Sequence, residues 1–329
     1  MPANLPPNYY AAEQRYREAR SIPEKIDILR EMMAIMPKHK GTEHLQGDLK
    51  RKIAKLQGQA QKKQIKSRTS SLDYIPREGA GQAVLVGAPN SGKSTFVGTM
   101  TNAHTEVAEY PFSTFKPVQG MMPFEDIQIQ LVDMPPISME YSESWMYNII
   151  RLADLVLFLV AVDEEKPDET AFNVLSLLEE RHIELGKNGD KKPQGQRAFK
   201  SCRVIATKAG NARAEEGIVR LRTIFEDEMD IIEWEATDSA THETLKKKIF
   251  DDLKIIRIYT KIPGYKADYE KPYVLAYGST VMDAAREIHK EVAESMRYAR
   301  IWNDDRLNGR RVERDYVLND RDVLEIHTR

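Results

Sequence analysis

Apolar residues recur at helical spacing near the start of the chain. Ile22, Ile26, Leu29, Met32 and Met33 fall on one stripe, and Pro23 suits the first turn of such a helix. After Gly41, a second stripe of Leu45, Leu49, Ile53 and Leu56 repeats at three- and four-residue steps. Two or three helices are therefore predicted first. Residues 68–81, punctuated by Ser, Pro and Gly, read as a connection. Beyond it the pattern changes kind. Ala83–Val86 is a short apolar run suited to a buried strand, and Ser94–Met100 can continue as a helix. Ile127, Ile129 and Leu131 alternate with polar residues and lead straight to Asp133, as a half-buried strand would. Leu155–Val162 reads as a central strand, Arg203–Ala206 as a shorter one and Ile231–Trp234 as another, with a polar Gly/Lys/Pro loop at 186–196. Strand-like and helix-like runs thus alternate as a doubly wound, mostly parallel α/β sheet requires.

Composition narrows the class. With 329 residues, 41% hydrophobic and 30% charged, the chain can bury a sizeable core and fold as more than one unit. Cys202 is the single cysteine, which excludes an internal disulfide framework and a multi-cysteine metal site; beside a strand it reads as a buried thiol. The longest apolar run, 152–162, has 11 residues and contains Asp154, too short for a bilayer span of about 20 residues. No signal-peptide pattern opens the chain, so the expected location is cytoplasmic, away from membranes. The seven histidines show no metal-ligand spacing.

The net charge of −2 conceals an asymmetry. Residues 1–80 hold 16 Lys and Arg against 9 Asp and Glu, a net +7, while the remainder holds 33 against 42, a net −9. The basic excess between Lys38 and Arg68 either neutralises RNA phosphates by counterion release or forms a solvated helical face.

The chemistry begins at Gly87–Ser94, GAPNSGKS, a complete phosphate-binding loop. Glycines let the backbone curl so that successive N–H groups and the following helix N-terminus face negative charge. Gly87 and Gly92 supply that freedom; Lys93 would reach the β- and γ-phosphates, and Ser94 would ligate Mg2+. Asp133, at a strand's C-terminal end where open α/β sheets bind ligands, is placed to hold the same ion through a water.

These residues resemble the Obg and developmentally regulated GTP-binding protein group of GTPases. GAPNSGKS, the first-switch stretch Tyr110–Gly120 (YPFSTFKPVQG) and KHKGTEHL before a Lys-rich helix match its forms. Ile256–Gly264, Tyr277–His289, Ala299–Asn303 and Val317–His327 resemble a TGS domain, a small β-grasp module. The resemblance implies a basic N-terminal helical region over 1–80, a P-loop GTPase (G) domain of α/β class over 81–254, and a ubiquitin-like TGS domain over 255–329. It implies nucleotide contacts from Gly87, Asn90, Ser91, Gly92, Lys93, Ser94 and Thr95 in the loop, with Thr207, Lys208 and Ala236 at the base. Ser94, Thr114 and Asp133 would hold Mg2+, Lys93 and Thr114 would serve any hydrolysis, and Asn90 would help hold K+ as in potassium-stimulated relatives. The implied ligands are GTP and GDP, and the implied partner is the ribosome or another RNA assembly, engaged through the N-terminal helices and the TGS domain.

Two positions depart from the family pattern. Its second switch reads Asp-x-Pro-Gly, whereas this chain reads DMPP, so Pro136 stands where a glycine N–H would meet the γ-phosphate. Ile137 follows and cannot orient a water. The family's Asn-Lys-x-Asp is Thr207-Lys208-Ala209-Gly210 here, so Gly210 replaces the carboxylate that reads guanine. Asn211 could accept one bond, and Gly210→Asp is expected to raise preference for GTP over ATP. Thr207 lies 74 residues after Asp133, leaving little room for the inserted subdomain of the developmentally regulated branch. The last base-contact motif falls near Ala236, or at Ser239-Ala240 if the loop is longer. The function expected is a slow, weak GTPase switch; a non-hydrolysing nucleotide-binding scaffold and an Obg-like ATPase remain alternatives. In the TGS stretch, Tyr298 and Trp302 either stack on RNA bases or fill the module's core.

Overall fold

The computed structural model describes residues 6–18, 22–36, 47, 49–53, 74–101, 106–107, 117–140, 142–187, 197–225, 229–302 and 309–328. The chain divides into one unit over Met1–Asp73 and another over Tyr74–Arg329.

In the first unit, helices α1 (Pro7–Glu18) and α2 (Ile22–Ile35) lie against each other. Tyr9 and Ala12 of α1 meet Ile28, Leu29 and Met32 of α2, joined by Met36 and by Leu49 from helical residues 49–53. The stripe expected on α2 is thus the buried one, with Ile26, Leu29 and Met32 all inside. Leu45 and Leu56 of the second expected stripe lie outside the described residues. Of the basic stretch, Lys50, Arg51 and Lys52 are described and exposed.

The second unit opens with β1 (Gln82–Val86), whose five residues are all buried. Then come α3 (Lys93–Met100), β2 (Glu106–Val107), β3 (Val118–Phe124), β4 (Ile127–Asp133), α4 (Ser144–Leu152), β5 (Leu155–Ala161), α5 (Pro167–Glu180), β6 (Ile183–Gly186), β7 (Ala198–Thr207), α6 (Ala214–Phe225), β8 (Ile231–Trp234) and α7 (Ser239–Asp252). The sheet is eight-stranded, in the order β2-β3-β4-β1-β5-β7-β6, with β8 also on β7. β4, β1, β5, β7, β6 and β8 pair in parallel, and only the β2-β3-β4 end is antiparallel. Central β5, LVLFLVA, is buried throughout, because a parallel strand with helices on both faces has no wet side. Val118–Phe124 contains Gly120 and Pro123, which break the apolar alternation and hid this strand in the sequence.

β7 corrects one expectation. It runs ten residues rather than the four from Arg203 to Ala206. Its first part, Ala198–Ser201, mixes Ala and Phe with Lys and Ser and is half-buried beside the short edge strand β6, so it lacks the continuous apolar run of a central strand. Cys202 is buried within β7, and burial pushes its thiol pKa up.

A five-stranded sheet follows, built from β9 (Ile255–Lys261), β10 (Ala267–Ala276), β11 (Met296–Trp302), β12 (Arg310–Val312) and β13 (Asp322–Thr328) in the order β10-β9-β13-β11-β12. Helices α8 (Val281–Ile288) and α9 (Lys290–Ser295) close its core through Val281, Ala284, Ala285 and Ala293. Thr280 and Asp283 form a reciprocal capping box at the start of α8. Tyr298 and Trp302 belong to neither side of the expected alternative cleanly: both are half-buried and outside the core cluster. Lys261 lies 4.2 Å over Trp302, Arg311 lies 4.5 Å over Tyr298, and His327 stacks on Tyr298 at 4.4 Å.

The two sheets are joined at the tip of the β3–β4 hairpin. Arg257 of β9, 3% exposed, donates to Asp126 and Asp320 at 2.7 Å and to Glu125. Arg321 donates to Glu125 at 2.6 Å, and Tyr259 donates to Asp126 at 2.5 Å. The Arg257 guanidinium also covers the rings of Phe250 and Phe124. Carboxylates, cations and a hydroxyl satisfy one another here, so the buried arginine is fully compensated.

Candidate nucleotide-binding site

The loop between β1 and α3 wraps the C-terminal edge of the sheet. Gly92 sits at φ 84°, a left-handed conformation that strains other residues. At Gly87 the reason is space: an added Cβ would lie 2.5 Å from the Leu159 carbonyl oxygen and 2.6 Å from Ser91 Oγ. Asn90, exposed, turns the outer curve at φ 61°. Ser91 is buried, while Ser94 and Thr95 are exposed on the first turn of α3.

Lys93 Nζ donates to Ala88 O at 2.8 Å, Gly87 O at 3.1 Å and Ser91 Oγ at 3.2 Å. The lysine is only 7% exposed. Burial lowers its pKa to about 8, against an opposing pull from Asp133. Ser94 Oγ donates to Asp133 Oδ2 at 2.6 Å. Burial raises the Asp133 pKa, while the Ser94 bond and Lys93 work the other way. Asp133 Oδ1 is buried with no hydrogen-bond partner. A serine hydroxyl and an aspartate thus pair beside the loop, with one carboxylate oxygen left unsatisfied.

A cleft of about 670 Å³ opens over this arrangement, lined by residues 89–95, Val118, Asp133–Pro136 and Lys208. The Ile137 N–H donates to Gly87 O at 3.1 Å, and the Ile137 side chain is buried at 1% exposure. The segment after Asp133 is thus tied back to the phosphate loop by Ile137, with Pro136 on the cleft wall. Thr114 lies outside the described residues.

The other end of the site is assembled from three separate segments. Thr207, fully buried at the end of β7, shares its hydroxyl between Ser91 O at 2.9 Å and Val160 O at 3.2 Å. It thereby ties the phosphate loop to the loop that follows β7. Lys208 follows at φ 60°, its Nζ 3.2 Å from Asp163 Oδ1. Asn211 Nδ2 donates to Asp163 Oδ2 at 3.2 Å, which engages the amide's donor side and not its acceptor oxygen. β8 ends at Trp234, and the Ala236 N–H meets Glu235 Oε1 at 3.0 Å. Ser239 and Ala240 form the first turn of α7, where Asp238 caps the Ala240 N–H, so they are helix rather than loop. Glu235 is the residue that sequence reasoning missed. It also accepts a 3.0 Å bond from the Gly210 N–H, across 25 residues of chain. Its one sequence signal is its place directly before Ala236.

Residues 82–188 match the family model described as 50S ribosome-binding GTPase, and residues 256–328 match the TGS domain model. The chain joins a GTPase-family domain to a TGS domain. An uncharacterised GTP-binding protein of Methanocaldococcus jannaschii is 28% identical, over 93% of this chain and 92% of that one. Developmentally-regulated G-protein 1 of Arabidopsis thaliana is 26% identical, over 93% and 91% of the two chains. A solved GTP-binding protein from Pyrococcus horikoshii OT3 is 18% identical, covering 75% of this chain and 99% of its own, with a TM-score of 0.49. Among the described residues no helix is long and apolar enough to cross a membrane.

Proposed function

We propose that this chain is a guanine-nucleotide-dependent switch that binds GTP and GDP at the phosphate loop and hydrolyses GTP slowly. The observation that carries this reading is the convergence of buried Lys93, the Ser94–Asp133 pair and the Thr207 tether on one cleft. Domain limits of 1–80, 81–254 and 255–329 give each part a task. The middle domain binds nucleotide, and the flanking parts engage the ribosome or another RNA assembly in the cytoplasm. Exposed Lys50, Arg51 and Lys52, and the Tyr298–Arg311 and Trp302–Lys261 pairs, favour a nucleic-acid partner.

The donor set fits Mg2+, a hard cation that takes oxygen ligands and keeps several waters. Asp133 Oδ1 is an unsatisfied buried oxygen beside a serine hydroxyl. Ser94 would hold the ion directly, Asp133 through a water, and Thr114 from the first switch. Bound there, it would neutralise charge on the phosphates. Lys93 would leave its three loop oxygens and turn to the phosphate, exchanging carbonyl partners for anionic ones. Asn90 is the residue through which K+ would act.

The slow rate follows from the second switch. Pro136 has no N–H for the γ-phosphate, and Ile137 is buried and bonded to the loop, so neither positions a water. The same two residues favour a second reading, a scaffold that binds nucleotide without hydrolysing it. Phosphate release with Mg2+ and K+, measured with and without ribosomes, separates the two. The guanine reading itself is tested by calorimetric titration with GTP, GDP and ATP. Both guanine nucleotides are expected to bind at least about 100-fold more tightly than ATP; equal binding would favour the ATPase alternative.

A further inference from the structure

Gly210 lacks a side chain, yet the space beside it is filled by a carboxylate. A Cβ built at Gly210 would lie 3.1 Å from Glu235 Oε2 and 3.4 Å from Glu235 Cδ. Glu235 is fixed there by two backbone donors, the Gly210 N–H on Oε2 and the Ala236 N–H on Oε1, both at 3.0 Å. These bonds use one lone pair on each oxygen and leave a second on each. The carboxylate thus stands, oriented, against the position where a side chain at 210 would begin.

We propose that Glu235 is the base-reading carboxylate of this site, delivered from the loop after β8 in place of one at Gly210. The assignment rests on the guanine-nucleotide reading above and names the residue responsible for its selectivity. Guanine presents two adjacent donors on one edge, the ring N1–H and the exocyclic amine, and a carboxylate with two free lone pairs accepts both. Adenine presents an unprotonated ring nitrogen there, which a carboxylate repels. Thr207 and Lys208 place this edge relative to the phosphates, because Thr207 bonds the phosphate loop and the next two residues lead to Gly210. A side chain at 210 would press on Glu235, whose Oε2 lies 3.1 Å from a Cβ built there.

This reverses the expectation for Gly210→Asp. Added to the native chain, the new side chain would already start 3.1 Å from Glu235 Oε2 at its Cβ and bring a second carboxylate beside the first, and neighbouring like charges disfavour each other. Added to Glu235→Ala, it refills a vacated volume. The test uses the full chain and titrates GDP, ADP and xanthosine diphosphate by calorimetry. Glu235→Ala is expected to lower GDP affinity by about 100-fold or more while leaving ADP binding little changed. Glu235→Ala with Gly210→Asp is expected to recover most of that loss. Glu235→Gln is expected to favour the xanthine nucleotide over GDP, because an amide accepts from N1–H and donates to the 2-oxo group; a purely structural brace gives no such gain. A guanine preference that survives intact in Glu235→Ala would overturn the assignment while leaving the guanine reading standing. Equal binding of GDP and ADP by the unsubstituted chain would overturn both.

Discussion

The two ends of the nucleotide site are built in different ways. The phosphate end is one continuous segment: β1, a loop whose glycines are dictated by sterics, and the first turn of α3, with Asp133 arriving from the neighbouring strand. The base end is gathered from Thr207–Gly210, Asp163 and Glu235–Ala236, tied together by hydrogen bonds between loops. The family match over 82–188 covers the first and stops short of most of the second. A backbone cradle tolerates little change, because each N–H and each close approach is fixed by the fold. A side-chain reader needs only the right group in the right volume, so the carboxylate can move from one loop to another.

The largest break in this comparison is expected at Lys93. Lys93→Ala removes the loop cation proposed to meet the phosphates, and affinity for every nucleotide is expected to fall by about 100-fold or more, irrespective of the base. Calorimetry with GDP and ADP checks this; unchanged affinity would remove the phosphate-loop assignment. The contrast with Glu235 is the point, since substitutions there are expected to act on guanine alone.

A second consequence follows from the same buried ammonium in the nucleotide-free protein. Its folded-state pKa of about 8 lies below the ordinary 10.5, so the contribution to stability is fully present above 10.5 and is lost as pH falls through 8. Asp133 is the carboxylate facing it, and its attraction opposes the lowering. Stability is therefore expected to rise between pH 8 and 10.5, with this lysine adding about 3 kcal/mol. Lys93→Met, measured by denaturant unfolding over the same range, is expected to lack that component. An identical pH slope in both proteins would show that the lysine is not desolvated as the geometry indicates.

How much was legible in the sequence follows the same division. The phosphate loop, β1, β5 and Asp133 were readable because each is a local pattern: a glycine spacing, an apolar run, an alternation ending in a carboxylate. The full length of β7 was not, because its first half pairs at an edge and carries no apolar signature. The Arg257 cluster was not, because its charges lie up to 196 residues apart and come together only through the β3–β4 hairpin. Glu235 was hidden for the same reason. A sequence motif records Gly210 as a lost carboxylate, whereas its replacement becomes visible only when two loops are seen to touch.

The smallest expected effect falls on the residue that couples the two ends. Thr207→Val keeps the shape of a fully buried side chain but removes the hydroxyl that serves Ser91 O and Val160 O. A buried carbonyl left without its donor costs about 1–2 kcal/mol. Part of that loss is expected as lower stability and part as GDP affinity reduced about tenfold or less, because the base loop is no longer registered against the phosphate loop. Thr207→Ser retains the hydroxyl and is expected to lose stability through its missing methyl while keeping GDP affinity. If Val and Ser weaken GDP binding equally, the hydroxyl is not the link, and the two ends are held in register by the strands alone.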